Sequence, residues 1–422
     1  MPVTPDPASG DADKTMLAAA SAALALLPAQ GTVGLALSGG SDSTAMLHLM
    51  ARAAPPLGLR LAGVTVDHAL RPEAADEAAQ VGRLCAELGL SHDILRWDHG
   101  LIQGNLLDQA RRARYALIAD WARGLGLDAV ALAHTATDQA ETLLMGLARG
   151  AGLDGLSGMR GRFEVAQVTF FRPFLSFGRE DLRGFLRRNG LGWLDDPTNA
   201  DERYLRIKAR RALKALAPLG ITEARLAGSA HHLAQAQGAV RRAAGAAARD
   251  LVREVAGGLL LDRGGLRRLG PELERRVLIL CLLWLTQNDH PPRGSEVQRL
   301  LQAIAEGRAA TLAGCRLRPR AEAVLIVREP RALGPATPPG RLWDGRWLVE
   351  GPAQPGDEVR ALGARGLAGC KGWRQSGLPR EALIVTPALW RGETLVAAPA
   401  LGGAGGWSAR LAPSFDQFIL SH

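Results

Sequence analysis

Val33-Gly34-Leu35-Ala36-Leu37 runs directly into Ser38-Gly39-Gly40-Ser41-Asp42-Ser43, and helical spacing takes over from Thr44 to Ala53. An apolar run bounded by turn residues predicts a buried strand. The glycines let the backbone approach a ligand closely, and a turn that opens a helix aims peptide N–H groups at one spot. Together these make an anion cradle, to which the hydroxyls of Ser38, Ser41 and Ser43 add donors. Asp42 is out of place in a plain anion cup. A carboxylate beside phosphates points to a bridging magnesium, and at the head of a helix it also suits a cap. A strand–helix turn with no ligand is the plainer alternative. The Walker pattern fails, because Gly40 stands where its lysine belongs. A second glycine pattern, Gly150, Gly152 and Gly155, follows a predicted helix instead of a strand, so it reads as a turn and not as a dinucleotide site.

Outward from this loop, Leu61–Val66 and Asp128–Ala133 also read as buried strands. Helices fit Glu73–Leu88, Asn105–Arg123 and Gln139–Arg149, with Asn105 followed by Asp108, and Asp138 followed by Glu141, as capping-box starts. Strand–helix alternation at this spacing predicts an α/β fold with a doubly wound parallel sheet, ligands lying beyond the carboxyl ends of its strands. Residues 15–217 form this domain, behind a flexible tail over 1–14. Helical, Ala- and Arg-rich sequence predicts a helical middle domain over 218–330. The Pro/Gly-rich stretch 331–340 reads as a linker, and 341–422 as a small mixed α/β C-terminal domain.

The chain has 422 residues and a net charge of +9, from 51 basic and 42 acidic residues. A positive field favours polyanionic partners such as nucleic acid, with a solvated basic surface as the alternative. Cys85, Cys281, Cys315 and Cys370 stand far apart with no CxxC pair, which argues against a disulfide framework or zinc knuckle and fits a reducing cytoplasm. No apolar stretch of about 18 residues exists, so no membrane partner is expected. Met16–Leu27 is apolar, but Asp6, Asp11 and Asp13 against the single Lys14 before it are the reverse of a signal peptide. From Arg203 to Lys214 there are six basic residues and no acid, a run that suits an RNA backbone or a solvated helix face.

Further blocks follow in order: Val66-Asp67-His68-Ala69-Leu70-Arg71, NLLDQARRARY over 105–115, AHTATDQAETLLMGLARG over 133–150, Gly155-Leu156-Ser157-Gly158-Met159, Arg172-Pro173-Phe174-Leu175, and Trp193-Leu194-Asp195-Asp196-Pro197-Thr198-Asn199 ahead of Tyr204, Arg206 and Arg210. SGGSDS after a strand resembles the pyrophosphate loop of the N-type ATP pyrophosphatases. With the other blocks, residues 30–216 resemble the tRNA(Ile)-lysidine synthetase family, and Gly377-Leu378-Pro379-Arg380 with Thr386-Pro387-Ala388-Leu389 resemble its C-terminal domain.

The resemblance implies an enzyme that uses ATP and magnesium. ATP adenylates the 2-oxo oxygen of the wobble cytidine of a CAU-anticodon tRNA(Ile), and the ε-amine of free lysine then displaces AMP. It implies ATP contacts from Ser38, Gly39, Gly40, Ser41, Asp42, Ser43, His68, Arg71 and His134, with Asp42, Asp138 and Arg114 catalytic and Asp42 and Asp138 facing the metal. Arg111, Arg206, Lys208, Arg210 and Arg380 are its tRNA-binding candidates, and the acidic pair Asp138 and Glu141 are candidates for magnesium or the lysine ammonium. The sequence departs from the family block HHxDDQAET at Thr135 and Thr137, and Ile207 stands where the family has Asn. A thiolase-like adenylating enzyme and a non-catalytic RNA-binding relative are the competing readings. The oligomeric state is left open, a homodimer included.

Overall fold

A computed structural model describes residues 7–68, 73–98, 106–194, 205–288, 290–402 and 405–421. The chain divides into two compact units, Met1–Gln237 and Gly238–His422.

The first unit is built on a six-stranded sheet. Its elements run α1 (Pro7–Leu24), β1 (Thr32–Ala36), α2 (Ser41–Ala53), β2 (Arg60–Asp67), α3 (Ala74–Glu87), β3 (Ser91–Arg96), α4 (Leu106–Gly124), β4 (Ala129–Leu132), α5 (Ala136–Ala148), α6 (Leu153–Leu156), β5 (Arg162–Val165), β6 (Val168–Phe171), α7 (Arg179–Arg188), α8 (Leu205–Leu216) and α9 (Glu223–Leu251), the last crossing the unit boundary. Strand order is β3-β2-β1-β4-β6-β5. Every pairing is parallel except β5 with β6. The expected doubly wound parallel sheet is therefore present, with its order reversing between β1 and β4.

Both sheet faces are buried, so the central strands are apolar on both sides. Val33, Leu35, Ala129 and Ala131 join one core with α1, α2 and α7. Val130, Leu132 and Phe170 join the other with Tyr115, Ile118 and Ala119 of α4. Gly34 makes the second face possible, since a Cβ there would meet the Trp121 ring at 2.8 Å. The edge strand β3, which the sequence reading passed over, is largely exposed and lacks the continuous apolar run of its neighbours.

Three expectations change. Residues 7–14, expected as tail, lie in α1, whose Asp13 accepts hydrogen bonds from Arg188 and from Asn189 Nδ2 (3.2 Å). The region expected as a helical middle domain, 218–330, also holds a five-stranded antiparallel sheet in the second unit. It consists of β7 (Val252–Val255), β8 (Gly258–Asp262), β9 (Ala310–Leu312), β10 (Cys315–Pro319) and β11 (Ala323–Arg328), ordered β7-β8-β11-β10-β9. Its core is shared with the helices Pro271–Thr286 and Gly294–Ala305. The stretch expected as a linker is tied down by Thr337, which exchanges backbone hydrogen bonds with Val359 at 3.0 and 2.7 Å. Two three-stranded antiparallel sheets complete this unit.

Phe170 is fully buried on the central sheet. Phe170→Ala is expected to cost about 3–5 kcal/mol, read as a lower urea midpoint with an unchanged slope.

Candidate functional site

Beyond β1 the chain turns through Leu37 to Gly40 and enters α2 at Ser41. Gly39 has φ +78°, and a Cβ there would also meet Leu194 Cδ1 at 2.5 Å. The loop is knitted internally. The Ser38 N–H donates to Ser43 Oγ at 3.2 Å, Ser43 Oγ donates to the Gly40 carbonyl at 3.0 Å, and Thr44 Oγ1 donates to the Gly39 carbonyl at 3.1 Å. Gly40 is the N-cap and no side chain caps this helix. Asp42 is thus free of the capping role, and its carboxylate turns instead to Arg179.

Arg179 opens α7, beside Gly178, whose N–H donates to Asp181 at 2.7 Å. Its Nε donates to Asp42 Oδ2 at 2.9 Å and one terminal nitrogen to Asp138 Oδ1 at 3.2 Å, while the other lies 3.6 Å from Glu141. Three carboxylates from two helices thus share one guanidinium. Glu141 is fully buried and also accepts from Arg206 Nε at 2.9 Å and Arg210 Nε at 2.5 Å on α8. Burial pushes the Asp42 carboxyl above its ordinary range, against the pull of Arg179. For Asp138 burial also pushes upward, but Arg179 and Arg206 outweigh it and hold the carboxyl below its ordinary range. The same carboxylates lift Arg179 above its usual value despite its burial.

Thr135, not Asp138, is the N-cap of α5. Its N–H and hydroxyl both donate to Asp138 Oδ2 at 2.9 Å. The expected start at Asp138 lies three residues late, because the threonine supplies the capping oxygen. Both oxygens of Asp138 are therefore committed, one to the cap and one to arginines. Thr137 donates to Glu223 on α9 and accepts from the Arg179 N–H at 3.0 Å.

Past β4, His134 Nδ1 accepts from Arg172 Nε at 3.0 Å. Arg172 is itself buried, donating to the Arg160 carbonyl at 2.5 Å and to the Tyr115 hydroxyl at 3.2 Å, and it stacks on Phe163 at 4.3 Å. Burial first, then the Arg172 charge, push the His134 imidazolium down to about 3, so the ring is neutral.

The loop, Asp42, Asp138 and the imidazole border one cavity of about 560 Å³, which the sheet's order reversal places beyond β1 and β4. Ser38, Gly40, Ser41, Asp42 and Ser43 line it. So do His68, Arg114, His134, Asp138, Arg206 and Arg210. Gly39 lies behind the loop. Arg114 Nε is buried without a hydrogen-bond partner among the described residues, an unspent donor suited to an anion. Arg111 lies over the Tyr115 ring at 5.9 Å. Lys208 is exposed on α8, and Arg380 is exposed at the start of the helix Arg380–Leu383 in the second unit. Arg71, Asn105, Asp195, Asp196 and Tyr204 lie outside the described residues.

Arg179 and Arg183 were missed by the sequence reading. Arg183 Nε donates to Ser41 Oγ at 3.2 Å, beside the loop. Their only sequence signal is a pair of arginines one turn apart after the Arg172-Pro173-Phe174-Leu175 block. Nor does sequence foretell that Arg206 and Arg210, expected on RNA, pair with Glu141. No group of three or more His, Cys, Asp or Glu side chains suited to a metal occurs among the described residues. Asp42 Oδ1, which receives only a 3.3 Å bond from Ser41, is the carboxylate oxygen best placed to meet a cation brought in on phosphates.

The PP-loop domain family matches residues 14–216. A tRNA(Ile)-lysidine synthase from Ruegeria pomeroyi is 47% identical over 394 residues, spanning 92% of this chain and 94% of its own. The chain belongs to the tRNA(Ile)-lysidine synthase family. A second synthase of that name, from Methylobacterium nodulans, is 42% identical over 287 residues, 66% of this chain and 84% of its own. A solved U34-tRNA thiolase from Methanococcus maripaludis aligns with 53% of this chain and 79% of its own at a TM-score of 0.46 and 16% identity. This member of the synthase family carries the pyrophosphate loop and the carboxylate–arginine cluster on one sheet edge.

Two outcomes follow from this geometry. Glu141→Gln removes the fully buried carboxylate that Arg206, Arg210 and Arg179 share and is expected to cost about 3–5 kcal/mol, measured by denaturant unfolding. His134 protonates near its ordinary 6.5 when unfolded but only at about 3 when folded. The unfolded chain therefore binds more protons in that window, and stability falls as pH drops from 6.5 towards 3. His134→Gln should flatten that part of the stability–pH curve relative to the parent protein.

Proposed function

We propose that this chain ligates free L-lysine to the wobble cytidine of a CAU-anticodon tRNA(Ile), using ATP. In the first step the cytidine 2-oxo oxygen attacks the α-phosphorus of ATP. The bond to pyrophosphate breaks, and pyrophosphate leaves with the electron pair. In the second the lysine ammonium releases a proton to solvent, the neutral ε-amine attacks C2, the C2–O bond breaks, AMP leaves with the electron pair, and the new C2-bound nitrogen releases a proton to solvent. The observation that carries this reading is the Ser38–Ser43 loop at the head of α2, opening on the cavity, in a chain of this family.

The loop N–H groups and hydroxyls are preorganised donors for the leaving pyrophosphate, where negative charge develops. Arg183 stands beside Ser41 to share it. Arg114, with its unspent Nε, is placed for the α-phosphate. Asp42 is the side chain that would hold a magnesium ion carried in on ATP, and such an ion would neutralise phosphate charge. Asp138, at the cavity wall and held ionised by its arginines, is the group we assign to the lysine ammonium. Arg111, Lys208 and Arg380, with Arg206 and Arg210 at the cavity rim, are the cations we assign to tRNA. Such contacts weaken with salt as counterions are restored. We assign the reaction to the cytoplasm, where ATP, lysine and tRNA meet.

The test is a modification assay. Protein, ATP, magnesium and isotopically labelled lysine are mixed with CAU-bearing tRNA(Ile), and digested nucleosides are weighed by mass spectrometry. Lysine-labelled cytidine at the wobble position is expected. ATP cleavage to AMP without label would point to another acceptor, and neither product would favour a non-catalytic RNA-binding protein. Asp42→Asn should abolish pyrophosphate release and leave tRNA binding in place.

A further inference from the structure

We infer that Arg172 is a positioning residue that holds His134 in one neutral tautomer, so that its Nε2–H is presented to the cavity as a hydrogen-bond donor. The inference deepens the proposed function and rests on it for the identity of the acceptor.

A guanidinium nitrogen can only donate. Arg172 Nε lies 3.0 Å from His134 Nδ1, so Nδ1 must be the acceptor and the ring proton must sit on Nε2. Turning the ring over would set a carbon against the Arg172 N–H and strand a buried donor, so the orientation is fixed as well. Arg172 has little freedom of its own. It is 7% exposed, bound to the Arg160 carbonyl and the Tyr115 hydroxyl, and stacked on Phe163. The charged groups that act on His134 are Arg172, Asp138, Arg114 and Arg206. Three of these four are cations, so an added proton on the ring would be repelled.

This arrangement assigns a role and removes one. With Nδ1 capped by a cation and Nε2 already protonated, the imidazole has no lone pair to offer the cavity, so His134 is not a general base. What it offers is a fixed neutral donor near the strand end, facing the space where phosphate oxygens and the cytidine 2-oxo oxygen meet. A neutral donor can follow an oxygen whose charge grows during adenylation without adding a cation that would bind the ground state equally well.

The direct test is nitrogen-15 NMR of histidine-labelled full-length protein without substrates. The expected His134 pattern is a protonated Nε2 and an unprotonated Nδ1 throughout the neutral range. A protonated Nδ1, or a mixture of tautomers, overturns the proposal whatever the activity of the enzyme. A second arm uses substitutions. Glutamine can accept from Arg172 through its oxygen and donate to the cavity through its nitrogen, so His134→Gln should retain more turnover than His134→Ala. Equal loss in both overturns the donor role. Arg172→Met should release the ring to mixed tautomers and lower kcat by about tenfold, roughly the worth of one neutral hydrogen bond, with KM for tRNA unchanged. In the His134→Ala background Arg172→Met should lower kcat no further, and a full additional loss would show that Arg172 acts otherwise.

Discussion

The Arg179 guanidinium is the common partner of Asp42, Asp138 and Glu141, and the geometry of the cavity depends on it. Three carboxylates drawn from α2 and α5 would repel one another in a region of low solvent exposure. Each would demand either a proton or a counter-charge. Arg179 supplies the counter-charge to all three from a third helix. Arg206 and Arg210 supply the rest from a fourth. The ion-pair cluster therefore does what the apolar cores cannot. It fixes the loop end of α2 against the start of α5 at the point where the sheet's order reverses, and it does so with directional bonds.

A balanced cluster of this kind also suits a site whose ligands are charged. Carboxylates and guanidiniums hold each other in shared pairs, so a group that turns to a charged ligand leaves its former partner another member of the cluster. The groups that take part in no such exchange stand nearer the sheet. Arg114 keeps a buried Nε with no partner among the described residues, and His134 is clamped by Arg172. The cavity wall thus joins a rim of paired charge to the loop, the α2 N-terminus and the clamped His134.

Much of this was legible in the sequence where the physics is local. β1, β2 and β4 are continuous apolar runs because helices cover both faces of the sheet, and their expected bounds differ from the observed ones by a residue or so. The loop was legible because only glycine tolerates the backbone of position 39. β3 was not, since an exposed edge strand needs no apolar run. The five-stranded sheet of the second unit was hidden differently: β8 and β11 are apolar and largely buried, but the strands are short and interleaved with helices in arginine-rich sequence. Most of the cluster lay beyond reach for a different reason. Glu141 meets Arg206 across 65 positions and Asp42 meets Arg179 across 137. Neither local propensity nor spacing carries such a pairing, and an arginine bound for a buried carboxylate looks the same in sequence as one bound for solvent or RNA.

The two threonines that depart from the family block follow from the same electrostatics. The block that the sequence resembles has His at 135 and Asp at 137, and an aspartate at 137 would carry a cost here. Thr135 caps α5 through a hydroxyl oxygen that accepts from the Asp138 N–H at 3.4 Å, and the same hydroxyl donates to Asp138 Oδ2, which leaves the second carboxylate oxygen towards Arg179. Thr137 donates to Glu223 and accepts from the Arg179 backbone N–H, so one hydroxyl joins α5 to both α7 and α9. An aspartate at 137 can accept but not donate. It would face Glu223 with a second negative charge and add a fourth carboxylate to a cluster already shared among Arg179, Arg206 and Arg210. A neutral hydroxyl serves both bonds and leaves the charge balance of the cluster intact. The threonines are thus compatible with a working site in which Asp138 and Asp42 supply the carboxylates at the cavity, and position 137 serves to fix the helix that carries Arg179.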